Sequence, residues 1–291
     1  MWIRLFRAEW RKILGHRWAT GCMIWIFPAL AVLGTILGLL AAAFSPSFRF
    51  GLRTAPALWT AVAIFPWLIP NNPLGRILLI SFTAVLFAGE YQWNTWKVIV
   101  PRSRRVPLIL VKFVTVSLFV VFAFILMSIL LTLGIGMIHV VAGAPYGPTI
   151  GGDVLHNFMK DYGLQMAYAF VSTIIAAGYA ALAAMITRSI LGSVAVSVIA
   201  TLGETLLFFP LSLIAWLLKT EIPVQLYRFL PSWNLLNLFT YLNGGKPDGL
   251  TFPSGKIVLD SQIFNEVVSV CWVVGLVAFT AYLFYKQDIT N

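Results

Sequence analysis

The sequence predicts an all-α integral membrane protein with six transmembrane helices. Three observations lead there. The chain of 291 residues is 60% hydrophobic and only 10% charged, whereas an ordinary soluble domain is about 25% charged. Its mean hydropathy is +0.89. The apolar residues form long runs with few charges. A helix needs about 20 such residues to cross a bilayer, and barrel strands would alternate instead. Basic residues gather beside those runs. The net charge of +10 therefore reads as a topology signal and as headgroup contact. This composition excludes a soluble enzyme, a disordered regulator and a nucleic-acid-binding domain.

The whole chain, 1–291, reads as a single transmembrane domain. Residues 2–17 place Ile3, Phe6, Trp10, Ile13 and Leu14 on one helical face and Arg4, Arg7 and Arg11 on another. That is an amphipathic helix lying in the membrane interface, as a lipid anchor or as a platform for a cytoplasmic partner. The first span follows at roughly 19–44. A secretory signal would also be basic and then apolar, but its apolar core is 7–15 residues. The run from Cys22 to Phe44 is longer, so it reads as a retained span. The second span lies within 57–89. Pro66, Pro70 and Pro73 interrupt it, so a kinked or broken helix is expected there. The remaining spans fall at roughly 108–142, 164–187, 190–218 and 266–285. Basic residues concentrate before the first span, between the second and third, and at Arg188 and Lys286. The positive-inside rule then puts both termini in the cytoplasm, in a cell membrane.

Between the spans, 143–163 reads as an irregular Gly- and Pro-containing turn. The long segment 219–265 holds a broken apolar stretch, Leu226 to Leu242, suited to a re-entrant or interfacial hairpin. Tyr91 to Val100 can form a short helix that Pro101 stops. The fourth span carries Ala176, Ala177, Gly178, Ala180, Ala181, Ala183 and Ala184, small residues that let helices pack closely in lipid.

Little here supports catalysis. The closest approach to a phosphate-binding loop is Gly249 to Lys256. It has one residue too many between its glycines, and Ile257 stands where a hydroxyl should bind magnesium. His16, His139 and His156 stand apart, without metal-ligand spacing, and His139 reads as a helix–helix hydrogen bond. Away from the span ends, two charges fall within apolar segments, Arg76 and Glu204. A charge at the bilayer centre costs about 2.5–3.5 kcal/mol on insertion scales. Glu204 therefore faces a transport path or dimer seam, pairs structurally with Arg76, or is protonated.

Three stretches resemble, in order, the membrane subunit of ATP-binding-cassette transporters, specifically the type-2 exporter permeases. The first is FAGEYQWNTWKVIVPRSRRVPLILVK, where Glu90, Thr95, Pro101, Ser103, Arg104 and Lys112 match the family pattern and Asn94 stands where glycine is usual. The second is LPSWNLLN, Leu230 to Asn237, similar to the family's outer re-entrant hairpin. The third is the ending FYKQDIT, with Gln287 in place of a basic residue. The resemblance implies a dimer, either homodimeric or with a related permease. Each copy would be bound by a separate cytoplasmic ATPase that carries the ATP and magnesium, with no cofactor in this chain.

The loop after the second span would then be the coupling helix. Glu90, Tyr91, Trp93, Thr95, Trp96, Lys97, Arg102 and Arg104 would link it to the ATPase. The N-terminal helix, with Arg4, Arg7, Glu9 and Arg11, would make a second contact. The second and fifth spans would line the path, with Arg76 and Glu204 on it or at the seam. The substrate class implied is amphipathic: a drug, a peptide or a lipid. Two other functions compete, a membrane-anchoring or mechanical subunit and a membrane-embedded enzyme.

Overall fold

The computed structural model describes residues 2–15, 17–100, 104–242, 244–252 and 254–288, with the backbone alone at 17–19. The protein is an α-helical membrane protein. Among the described residues, five helices are long and apolar enough to cross a membrane, and a sixth candidate is a bent pair.

Helix α1 (Trp2–Gly15) is the amphipathic start, followed by α2 (Arg17–Met23) and α3 (Ile26–Phe44). The first apolar run is thus not one helix from residue 19, because it breaks at Ile24 and Trp25. Pro28 explains the break: it has no N–H to give to the carbonyl four residues back, and its ring clashes with that carbonyl. After α4 (Pro46–Thr54), the second segment is broken where its prolines stand. It runs as α5 (Trp59–Ile64), a 3₁₀ stretch (Phe65–Asn71) and α6 (Pro73–Gln92). Asn72 caps α6 by accepting from the Leu74 N–H at 3.1 Å, with Pro73 at the first helical position, where its missing N–H costs nothing.

Helix α6 continues to Gln92, and the short helix α7 is confined to Trp96–Ile99 instead of starting at Tyr91. Next come α8 (Arg105–Ala142) and α9 (Gly152–Thr187). Residues 152–163, expected as loop, form the first three turns of α9. Asp153, His156, Lys160 and Asp161 make that stretch polar, and a helix can carry polar residues wherever it stands clear of lipid. The fifth apolar run is α10 (Ile190–Leu206) and α11 (Phe208–Leu218), bent by 49°. Pro210 has the same place in α11 that Pro28 has in α3, and the bend has the same cause. Two short helices follow, α12 (Ile222–Tyr227) and α13 (Pro231–Leu242), and then α14 (Gln262–Lys286).

Packing sorts the helices. The apolar stretches of α6 and α9 are 67% buried, against 28% for α3, so α6 and α9 are interior and α3 is peripheral. Helix α9 lies against α6, α10 and α14, and α3 lies along α8. The small residues of α9 permit this. A β-carbon at Gly178 would stand 2.8 Å from the Leu276 side chain of α14. The main core is aromatic, and Phe27 meets Phe124 edge-on at 5.2 Å between ring centres.

Candidate functional site

The two termini meet at one end of the bundle. There the last turn of α6 delivers Glu90, the second turn of α8 delivers Lys112, and α1 delivers Glu9 and Lys12. The Lys112 ammonium donates to Glu9 Oε2 at 2.8 Å, to Glu90 Oε1 at 2.7 Å and to the Leu86 carbonyl at 3.2 Å. An ammonium has three protons, so its capacity is filled. Glu90 also receives Lys12 and the Thr95 hydroxyl. Lys112, Glu9 and Glu90 are all buried, and two cations face two anions. Buried charges are tolerated when paired and hydrogen-bonded in this way. The faces of Trp96 and Phe87 lie 5.3 and 5.7 Å from the Lys112 nitrogen. Burial lowers the pKa of Lys12, repulsion from Lys112 adds to the effect, and Glu90 opposes it.

The loop after α6 is fixed by this knot. Its turn needs a left-handed residue, and Asn94 supplies it at φ 54°. Asparagine is one of the few residues besides glycine that visits this region readily, which accounts for its place where the resembling family has glycine. The Thr95 N–H then returns to the Glu90 carbonyl at 3.0 Å. Trp96 is buried against Phe284 at 4.5 Å. Lys97 is exposed, as are Val98 and Trp93, at 56% and 46%.

The C-terminal segment closes the same end. Tyr91 donates to the Gln287 side chain, whose amide donates to the Met185 carbonyl at 2.6 Å. Arg105 donates to the carbonyls of Tyr285 at 2.9 Å and Gln287 at 2.6 Å. Glu90, Tyr91, Asn94, Trp96, Lys97, Arg188 and Asp288 surround a cavity of about 200 Å³ beside this junction.

The structure thus brings Glu9, Glu90, Tyr91, Thr95 and Trp96 together. Arg4, Arg7 and Arg11 stay exposed on α1, Arg104 is exposed before α8, and Arg102 lies outside the described residues. Lys12 and Gln287 were not singled out as site residues from the sequence. Nor was Lys112, although it matches the family pattern. The available signal was a lysine near the start of a long apolar helix, which needs a buried partner.

The other pair lies deeper in the bundle, 14 residues back along α6 from Glu90, or about 21 Å. Glu204 accepts from the Tyr179 hydroxyl and from the Ser232 N–H at 3.3 Å. Arg76 is within electrostatic reach of Glu204, and both are buried, at 7% and 6% exposure. Among the described residues, the Nε and Nη2 of Arg76 have no hydrogen-bond partner. Glu204 thereby ties α9 and α10 to the start of α13. A second lock in this region went unread in the sequence. Asp260 accepts from Arg228 Nε at 2.9 Å and from Trp233 Nε1 at 3.0 Å, and its carbonyl accepts from Tyr241 at 2.7 Å. His139, expected to bridge helices, bonds instead to the Ile135 carbonyl of its own helix at 2.8 Å and to the Ala57 N–H at 3.4 Å. Among the described residues, no group of three or more His, Cys, Asp or Glu side chains is placed to hold a metal ion.

Compared with known proteins, the chain matches no family model and no curated relative.

Proposed function

We propose that this chain is the membrane-spanning permease subunit of a type-2 ATP-binding-cassette exporter, driven by ATP hydrolysis on a separate cytoplasmic ATPase. The observation that carries the reading is the knot of Glu9, Lys12, Glu90 and Lys112. It joins the N-terminal helix, the end of α6, the start of α8 and the short helix α7 into one body. A force applied to α7 by a partner reaches α6 and α8 through buried ion pairs instead of being lost in a loose loop. In this reading six spans leave both termini in the cytoplasm, and two copies assemble with two ATPases. An amphipathic substrate passes along α6 and α10.

Burial divides the roles within the coupling loop. Glu90 and Trp96 have 1% exposure and are positioning residues. Trp93, Lys97 and Val98 form the outward surface that touches the ATPase.

Affinity purification of the tagged chain from its own membranes, with mass spectrometry of what accompanies it, tests the proposal. A soluble ATPase is expected with the wild type and is expected to be lost from Val98→Asp. If no ATPase accompanies the wild type under conditions that preserve complexes, the reading fails. An ATPase that binds both chains equally would move the docking surface elsewhere.

A further inference from the structure

A cleft of about 580 Å³ opens between α1 and α8. Phe6 and Trp10 wall it on one side, and Leu118, Val121 and Ile125 on the other. From Leu118 to Ile125 is about two turns, or about 10 Å along α8. The cleft begins six residues past Lys112, the last Lys, Arg, Asp or Glu of α8, so it lies where the helix enters hydrocarbon. Trp10 is held against Phe119 at 4.7 Å between ring centres, which makes the wall firm.

The lining has one charged member, Arg7. Among the described residues Arg7 has no carboxylate within ion-pair distance, and it stands exposed between Arg4 and Arg11 on one stripe of α1. The nearby Glu9 points the other way and is consumed by Lys112. An apolar slot with an unpaired guanidinium at its side complements one molecule of the surroundings, an anionic membrane lipid.

We infer that this cleft binds an anionic phospholipid, with one acyl chain between α1 and α8 and the headgroup phosphate on Arg7. The site is independent of the ATPase reading, and its test uses no ATPase. The purified full chain is equilibrated with equal amounts of phosphatidylglycerol and phosphatidylcholine carrying the same acyl chains. Retained lipid is then counted by native mass spectrometry. The wild type is expected to keep one phosphatidylglycerol in preference. Arg7→Gln is expected to reduce that preference about fivefold, the discrimination one interfacial arginine gives on an anionic surface. Val121→Trp, which fills the slot, is expected to lose both lipids.

Arg4→Gln is the control, because Arg4 is on the stripe but not in the cleft. An equal loss of preference in Arg4→Gln would mean diffuse attraction to the helix and would overturn the site. Equal retention of the two lipids by the wild type, or no change in Arg7→Gln, would overturn it as well.

Discussion

Two regions of the bundle, one end and the interior, handle buried charge in opposite ways. At the end with the termini, two lysines meet two glutamates and every proton of Lys112 has an acceptor. Deeper inside, one arginine faces one glutamate. Glu204 has its donors, but among the described residues two nitrogen positions of Arg76 are without acceptors. The first arrangement resists change, because moving any member strands another charge. The second holds unused hydrogen-bonding capacity in a nonpolar setting, where it lowers the cost of rearrangement.

Substitutions can break or sharpen that contrast. The largest effect is expected from Lys112→Met, which leaves Glu9 and Glu90 buried face to face. Removing one partner of a buried pair costs about 3–5 kcal/mol. Thermal unfolding in detergent, followed by tryptophan fluorescence, should show a large loss of stability. An unchanged midpoint would mean that the knot does not hold this end together.

In the interior, Glu204→Gln keeps an acceptor for Ser232 and Tyr179 but removes the charge facing Arg76. A cost of about 1–3 kcal/mol is expected, the price of an uncompensated buried group. Combined with Arg76→Gln, the loss should be smaller than the sum of the two single losses, since residues that interact are not additive. Strict additivity in that unfolding cycle would show that the two side chains do not sense each other.

A smaller effect is expected at the turn between α6 and α7. Asn94→Val forces a β-branched residue into left-handed backbone, at about 1–2 kcal/mol, while Asn94→Gly should match the wild type. Loss of ATPase copurification in Asn94→Val but not in Asn94→Gly would tie the turn's geometry to docking. The smallest effect belongs to Lys12→Ala. The Lys12 side chain is 25% exposed, so solvent weakens its pair, and a loss below about 1 kcal/mol is expected in the same unfolding assay. A loss equal to that of Lys112→Met would show that Lys12 carries as much of the knot as Lys112 does.

Much of this fold is legible in the sequence, for a simple reason. Spanning helices need long apolar runs, and such runs are visible without any knowledge of packing. The break at Pro66, Pro70 and Pro73 is equally plain. Hydropathy alone misses what happens inside a run, so the restarts before Pro28 and Pro210 did not register. It also misses helix in water, which hid the first turns of α9. The site is less legible. Glu9 and Lys112 are 103 residues apart, and Glu90 and Lys112 are 22 apart. No helical spacing rule links them: the docking of α1 brings Glu9 to Lys112, and the packing of the end of α6 beside α8 brings Glu90. Arg228 and Asp260 look like ordinary loop charges until α12 and α13 pack around them.

Helix α8 has 38 residues without a break, about 57 Å from end to end. Its first turn is tied through Arg105 to the C-terminal segment, and its last residue, Ala142, accepts from Arg53 Nε at 2.8 Å. A rigid rod bonded at both tips couples what happens at one to the other. Pivoting it by about 5° around its middle would swing each tip by about 2.5 Å, in opposite directions. That is close to the reach of a hydrogen bond, so a small rocking at the Lys112 end is enough to make or break a contact beyond Gly143.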